Sequence, residues 1–125
     1  MREFLVISVG AALGANARYG LTNWFVGRFG SAFPWGTLFI NVSGSLAIGL
    51  VLTLLGQRLI GDPAYRLLLV TGFLDAYTTF STFSYETVGL IQRGEYLNAL
   101  YNVAGSVVVS LLATFGGILL GTRLG

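Results

Sequence analysis

Four long apolar segments, joined by short polar connections, run through this sequence. They cover residues 3–26, 35–56, 66–91 and 96–122. A helix rises about 1.5 Å per residue, so each segment is long enough to cross a hydrocarbon core of about 30 Å. The pattern therefore predicts an all-α membrane protein with four transmembrane helices, in a single domain over residues 1–125.

The composition agrees with a membrane protein and narrows its chemistry. Charged residues make up 10% of the chain, against about 25% in soluble proteins. Cysteine and histidine are both absent from the sequence, which removes disulfides, thiolate ligands and imidazole proton shuttles. The arginines are spread thinly and form no basic cluster for nucleic acid. The chain therefore gives little support to metal-dependent or nucleophilic enzyme chemistry.

The third apolar segment contains a polar run, GFLDAYTTFSTFSYE at positions 72–86. Its hydroxyl residues are Thr78, Thr79, Ser81, Thr82 and Ser84. In hydrocarbon each polar group needs a partner, so such a run is tolerated where it is buried in protein or lines a wet path. The run indicates a pore or a binding site near the bilayer midplane.

The same run predicts that the third helix is broken near residues 77–79. Gly72, Asp75 and the pair Thr78 and Thr79 weaken helical continuity, because hydroxyls bond their own backbone and open a turn. A break would turn freed carbonyl and amide groups inward. The alternative is an intact, kinked helix whose hydroxyls are satisfied locally.

The fourth segment carries polar residues at every fourth position, namely Asn102, Ser106, Ser110 and Thr114. Neutral donors suit a dehydrating anion, because they offer hydrogens without a full charge that would trap it. The alternative is that these side chains bond across helices and hold them together. Asn41, alone in an apolar stretch of the second segment, allows the same two interpretations.

Phe80 and Phe83 lie within the polar run at a spacing that places them on one helix face. They are either packing residues or, through their electropositive ring edges, contacts for a small anion. Arg18 falls inside or near the end of the first segment. An arginine there snorkels, faces water or pairs, with Asp75 and Glu86 as candidate partners.

Small residues recur on two of the predicted helices. Gly10 and Gly14 form a G-x-x-x-G pair, and Asn41, Ser45 and Gly49 repeat every four residues. Such faces let helices approach closely, which favours a compact bundle or a self-associating chain. An even number of spans places both termini on one side, and the arginines divide between the two sides with a weak bias. Insertion in both orientations, with antiparallel pairing, is therefore a hypothesis.

Three motifs resemble the Fluc (CrcB) fluoride channels: GAALGANARY at 10–19, GTLFINVSG at 36–44 and TTFSTFSYE at 78–86. The resemblance extends over nearly the full chain. It implies an antiparallel, dual-topology homodimer with two pores in the inner (plasma) membrane of a microbe. The implied activity is passive, selective export of the fluoride that enters as HF and is trapped at neutral pH.

The resemblance also implies roles for individual residues. Phe80 and Phe83 would be the pore phenylalanines, and Asn41 the pore amide. The remaining pore residues would be Ser81, Thr82, Ser106, Ser110 and Thr114. A structural sodium ion would lie at the dimer interface, held by backbone carbonyls of Asp75 and Thr78. Apart from the resemblance, the position of Arg18 and Glu86 within apolar segments indicates vestibule or structural charges.

One departure from the family pattern concerns the cation site. The family usually has a Gly-Gly pair before the Thr/Ser run, where this chain has Asp75 and Ala76. A carbonyl survives that substitution, but a backbone angle suited to glycine would not. We expect Asp75 either to add a carboxylate near the cation or to shift the break.

Other classes of membrane protein remain as alternatives. A small multidrug-resistance-type exporter couples protons to cationic compounds through a buried carboxylate on its first helix. The first segment here has only Glu3, at its start, and carries Arg18 instead, although Asp75 and Glu86 keep this alternative open. A non-transporting subunit would explain the small-residue faces but not the polar stripe. An intramembrane enzyme is the weakest alternative.

Overall fold

The structure is a computed structural model that describes residues 1–56 and 62–125, and every regular element within those ranges is helical. Residues 57–61, most of the predicted second connection, lie outside the described residues. The elements are α1 (Arg2–Phe29), α2 (Trp35–Gly56), α3 (Pro63–Arg66), a π-helical segment (Leu67–Leu74), α4 (Asp75–Tyr77), α5 (Phe80–Gln92) and α6 (Tyr96–Leu124).

Three of these helices, α1, α2 and α6, are long and apolar enough to cross a membrane. Their bounds agree with the first, second and fourth predicted segments to within a few residues. The third predicted segment is built from the four shorter elements between residues 63 and 92. The chain is therefore an all-helical, multi-pass membrane protein.

Two glycines with positive φ end helices at the predicted connections. Gly30 follows α1 with φ 76°, and its amide donates to the Val26 carbonyl at 2.9 Å. Gly94 follows α5 with φ 78°, and its amide donates to the Ile91 carbonyl at 3.0 Å. A residue with a Cβ adopts this left-handed conformation at a cost, so glycine reverses the chain here with least strain.

Close helix packing depends on small residues. A Cβ at Gly10 would clash with the Leu68 carbonyl oxygen, so α1 lies directly on the π-helical segment. A Cβ at Gly49 would clash with the Thr114 carbonyl oxygen, and α2 packs extensively on α6. The predicted small-residue faces thus bring helices together within one chain, as interfaces between membrane helices require.

A cluster of buried apolar residues lies beside the end of α4. It consists of Ile40, Leu74 and Tyr77, with Ala17 and Phe73 among the side chains packed around it. Most large apolar side chains of α1 and α6 face outward, as expected of surfaces that contact lipid tails. Two residues of the polar run, Leu74 and Tyr77, therefore belong to this buried cluster.

The helical path is interrupted within that polar run. α4 ends at Tyr77, and α5 begins at Phe80. Thr78 and Thr79 between them are extended, with φ/ψ of −82°/156° and −151°/123°. Two peptide units that would continue the helical ladder are thereby released to other partners.

Candidate functional site

A groove of about 360 Å³ lies beside the interruption, bounded by α2, α4, α5 and α6. It brings together residues from three of the predicted segments, which are distant in sequence. Those that the sequence singled out are Asn41, Ser45, Asp75, Thr78, Thr79, Phe80, Phe83, Ser106 and Ser110. The wall is mixed, with hydroxyl and amide groups set among apolar side chains such as Ile48 and Val107.

The Asn41 side chain holds the interruption open. Its Nδ2 donates to the Thr79 carbonyl at 3.0 Å, and its Oδ1 accepts from the Thr79 amide at 2.9 Å. One side-chain amide therefore satisfies both backbone groups of a residue that has left the helix. Because Nδ2 carries two hydrogens, one of them remains for another acceptor in the groove.

Two further contacts fix the backbone just before the interruption. The hydroxyl groups of Tyr77 and Ser43 lie 2.9 Å apart, which ties α4 to α2. Arg18 Nε donates to the Ala76 carbonyl at 3.2 Å, which ties α4 to α1. The sequence pattern did not single out the Tyr77 hydroxyl or Ser43 as a pair. The available signal was a tyrosine hydroxyl at the predicted break, since a buried hydroxyl needs a partner.

Thr79 also begins α5. Its hydroxyl accepts from the Thr82 amide at 3.2 Å, which is an N-cap bond. Thr82 and Ser81 therefore lie in the first turn of α5, and neither side chain lines the groove. Phe80 at the same terminus does line it, so the partial positive charge of this helix end lies close to the groove.

The two phenylalanines of the polar run lie together in the wall of the groove. Their ring centroids are 5.6 Å apart with an interplanar angle of 46°. Phe80 is 78% exposed, whereas Phe83 is partly buried. A large apolar side chain so exposed beside a polar groove is available for contact with another molecule.

The polar stripe of α6 divides into side chains with different contacts. Ser106 and Ser110 line the groove. Asn102 is 1% exposed and donates to the Thr87 hydroxyl at 2.9 Å, so it joins α6 to α5. Thr114 donates to the Ser45 carbonyl at 3.1 Å and lines a separate cavity. Four-residue steps rotate about 40° each around a helix of 3.6 residues per turn, which turns Thr114 away from Asn102.

Arg18 and Glu86 lie outside the groove. Glu86 lines a smaller cavity near the start of α2, and its Oε1 is buried with no hydrogen-bond partner in the described ranges. Ion pairs among residues 1–56 and 62–125 join Met1 to Glu3 and Arg93 to Glu95. Within those ranges, Arg18 therefore pairs with neither of its candidate carboxylates.

The interruption leaves two carbonyl oxygens available to a cation. Those of Ala76 and Thr79 are taken by Arg18 and Asn41, whereas in the described parts of the chain those of Asp75 and Thr78 accept no hydrogen bond. Asp75 has φ −67° and ψ −31°, an ordinary right-handed conformation. An aspartate in place of glycine therefore imposes no backbone strain, and the free carbonyls are of the kind that unwound membrane helices offer to Na⁺.

The fold and groove define a class of protein: a multi-pass helical membrane protein with an interrupted helical segment beside a partly polar groove. Comparison with known sequences specifies the family. The model of the CrcB-like protein family, Camphor Resistance (CrcB), matches residues 5–118. The chain therefore belongs to the CrcB-like family.

Several curated relatives span the whole chain, and each is named fluoride-specific ion channel FluC. The relative from Chloroflexus aurantiacus is 49% identical over 125 residues, covering 100% of this chain and 99% of its own length. That from Acidobacterium capsulatum is 43% identical over 122 residues, covering 98% of each chain. That from Thermus thermophilus is 44% identical over 124 residues, covering 99% of this chain and 97% of its own.

Proposed function

We propose that this protein is a fluoride-selective, passive ion channel that lets cytoplasmic fluoride leave the cell. The observation that carries the proposal is the groove itself, which gathers Asn41, Phe80, Phe83 and two α6 hydroxyls at the interruption. The relatives named as fluoride-specific channels support the choice of ion.

The chemistry of the groove suits a small, strongly hydrated anion. Hydroxyl and amide donors replace lost water without a fixed positive charge, so the anion is held weakly enough to leave. The free hydrogen of Asn41 Nδ2 and the hydroxyls of Ser106 and Ser110 supply such donors. The edges of Phe80 and Phe83 present the positive part of the ring quadrupole. A larger, less strongly hydrated halide would gain less from these contacts.

Other residues from the sequence analysis keep proposed roles along the path. Ser81 and Thr82, in the first turn of α5, and Thr114, beyond Ser110 on α6, would extend the polar track outside the groove. Arg18 would draw anions toward the vestibule while fixing α4 through the Ala76 carbonyl. Glu86 would be a structural charge midway along α5.

The assembly we propose is an antiparallel, dual-topology homodimer with two pores. Residues 63–92 would form its third membrane crossing, broken at Thr78 and Thr79. Support comes from polar and aromatic surface left uncovered in one chain, because Asp75 and Phe80 are both exposed beside the groove. At membrane depth such groups require a protein or aqueous partner. A second copy would cover them and complete each pore.

A structural sodium ion at the dimer interface belongs to the same proposal. The free carbonyl oxygens of Asp75 and Thr78 would hold it, and they are chemically suited to a hard cation. The ion would supply a fixed positive charge that ties two interrupted segments together. The protein would lie in the inner (plasma) membrane, where an outward fluoride gradient drives export.

The test is fluoride efflux from liposomes containing Phe80→Ala. Loss of a ring that lines the groove should reduce the rate of fluoride efflux by tenfold or more relative to the wild type. A tenfold reduction corresponds to a rise of roughly 1.4 kcal/mol in the barrier to permeation. Phe4→Ala is the matched control, since Phe4 is an exposed phenylalanine outside the groove. Equal efflux from both variants and the wild type would show that the groove is not the path.

A further inference from the structure

The end of α1 and the start of α2 carry a cluster of aromatic side chains. Trp24 lies edge-on to Phe25 with 5.0 Å between ring centroids, and the Phe25 ring lies 5.2 Å from that of Phe39. Phe29 and Trp35 complete the exposed part of this aromatic cluster, at 59% and 47% exposed. Tryptophan is enriched where membrane helices leave the hydrocarbon. The cluster therefore marks one membrane–water boundary of the protein.

The length of α1 carries its last turn beyond that boundary. α1 has 28 residues, which span about 42 Å, whereas the hydrocarbon core is about 30 Å thick. Because Trp24 marks the boundary, Arg28 lies one helical turn and about 6 Å further out. The headgroup layer is about 5–8 Å deep on each side of the membrane. Arg28 is therefore at the depth of lipid headgroups.

The guanidinium of Arg28 is held in place and keeps its hydrogen-bond donors. Its Cζ lies 5.1 Å from the centroid of the Trp24 ring, which is a cation–π contact. In the described parts of the chain, the hydrogen bonds that arginine side chains donate come from Arg18 and Arg93. Contact with a ring face uses no N–H group. The exposed edge of the Arg28 guanidinium therefore remains free to bind an acceptor.

The charge of Arg28 is also uncompensated at this end of the bundle. Arg93 and Glu95, where α5 ends and α6 begins, pair with each other at 2.9 Å. Glu86 has a buried Oε1 and faces a cavity that neither Arg28 nor Trp24 lines. Among residues 1–56 and 62–125, the ion pairs do not include Arg28. This end therefore presents one free positive charge to the membrane surface.

We propose that Arg28 and the aromatic cluster bind the headgroup of an anionic phospholipid, of the phosphatidylglycerol class. The planar guanidinium matches two phosphate oxygens at once, and the half-exposed rings of Phe29 and Trp35 lie where the glycerol and upper acyl chains would pack. A zwitterionic lipid offers the same phosphate, but its ammonium group offsets the attraction of the free charge. The proposal depends on α1 crossing the membrane and not on the ion that the protein conducts.

Arg28 also has a role within its own helix. It lies in the last turn of α1, where a positive charge interacts favourably with the helix dipole. That role needs only the charge, which lysine also carries. A phosphate site needs the planar fork as well, which lysine lacks. Arg28→Lys therefore separates the two roles.

Tryptophan fluorescence provides the experiment, because both tryptophans of the sequence belong to the aromatic cluster. The full-length protein is reconstituted in phosphatidylcholine liposomes. Brominated phosphatidylglycerol or brominated phosphatidylcholine is then included as the quencher, and the two quenching curves give the relative binding constant of the two lipids. We expect a ratio of about five in favour of phosphatidylglycerol for the wild type, since one basic residue near a membrane surface attracts anionic lipid to about this extent.

Variants assign that preference to Arg28. Arg28→Gln should bring the ratio to about one, and Arg28→Lys should give an intermediate ratio because the bidentate contact is lost. Arg2→Gln is the matched control and should keep the wild-type ratio. Arg2 is an exposed arginine at the opposite end of α1, about 40 Å from Arg28.

Several results would overturn the proposal. They are equal quenching by both lipids in the wild type, a preference that persists in Arg28→Gln, and an equal fall in Arg2→Gln. An Arg28→Lys variant with the wild-type ratio would reduce the role of Arg28 to its charge alone. Excess inorganic phosphate, compared with chloride at equal ionic strength, should leave the ratio unchanged. A ratio lowered by inorganic phosphate would indicate a site for soluble phosphate and would contradict a lipid site.

Discussion

Replacing Asn41 with alanine tests how the interruption is held. The substitution removes both hydrogen bonds to Thr79, at 3.0 and 2.9 Å, and leaves a backbone carbonyl and amide without partners. An unsatisfied buried group costs about 1–3 kcal/mol, whereas hydrogen bonds between membrane helices average about 0.6 kcal/mol. For two groups, the lower figure gives about 1.2 kcal/mol and the upper figure about 6 kcal/mol. We therefore expect the free energy of unfolding to fall by about 3 kcal/mol.

The assay is equilibrium unfolding in mixed micelles, with Asn16→Ala as the matched control. Asn16 is an exposed asparagine whose Nδ2 donates to the Ala12 carbonyl of its own helix at 2.6 Å. Its replacement should cost less than about 0.5 kcal/mol, as is usual for surface changes. If Asn41→Ala unfolded with the same free energy as Asn16→Ala, the side chain would not hold Thr79, and our account of the interruption would be wrong.

Three other predictions follow from single contacts. Gly49→Ala should lower the free energy of unfolding by about 2 kcal/mol or more, since the new Cβ would meet a backbone carbonyl. Gly20→Ala is the control and should be neutral or stabilising, because Gly20 faces open space. Equilibrium unfolding in micelles compares the two variants. Tyr77→Phe should cost about 1 kcal/mol by losing its bond to the Ser43 hydroxyl, and an unchanged unfolding curve would refute that bond. Hydrogen bonding from Arg93, then Asn98, lowers the pKa of the partly exposed Glu95 carboxyl. Because that pKa is lowered, ionised Glu95 stabilises the folded state fully above the ordinary carboxyl pKa, and this stabilisation is lost as pH falls through the lowered value. An NMR titration in which Arg93→Ala left the Glu95 pKa unchanged would contradict this prediction.

The long helices were predictable because their signal is local. A charge-free run such as residues 96–122 has no stable alternative to a membrane helix, and α6 covers it. The signals that end α1 and α5 are also local in sequence, because Gly30 and Gly94 adopt a positive φ that other residues disfavour. The π-helical geometry of Leu67–Leu74 was not predicted, because no local sequence pattern distinguishes it from an α-helix; this is the segment on which Gly10 and Gly14 of α1 pack.

The sequence predicted which residues line the groove, but not which hydrogen bonds they form. Asn41, Phe80 and Ser106 stood out because polar or aromatic groups in a hydroxyl-rich span need an explanation, and the structure places them together. That Asn41 bonds the backbone of Thr79 depends on contact across 38 positions, which no local pattern reveals. Equal spacing also implied one continuous stripe on α6, but helical rotation separates Thr114 from it.

Efflux from liposomes that contain the purified wild-type protein tests the central claim most directly. Fluoride and chloride are followed in parallel with ion-selective electrodes, and protein-free liposomes measure leakage. We predict rapid loss of fluoride with chloride loss no greater than leakage, because the groove offers neutral donors to a strongly hydrated anion. Chloride efflux as fast as fluoride efflux, or no fluoride efflux from the folded protein, would contradict the proposed function.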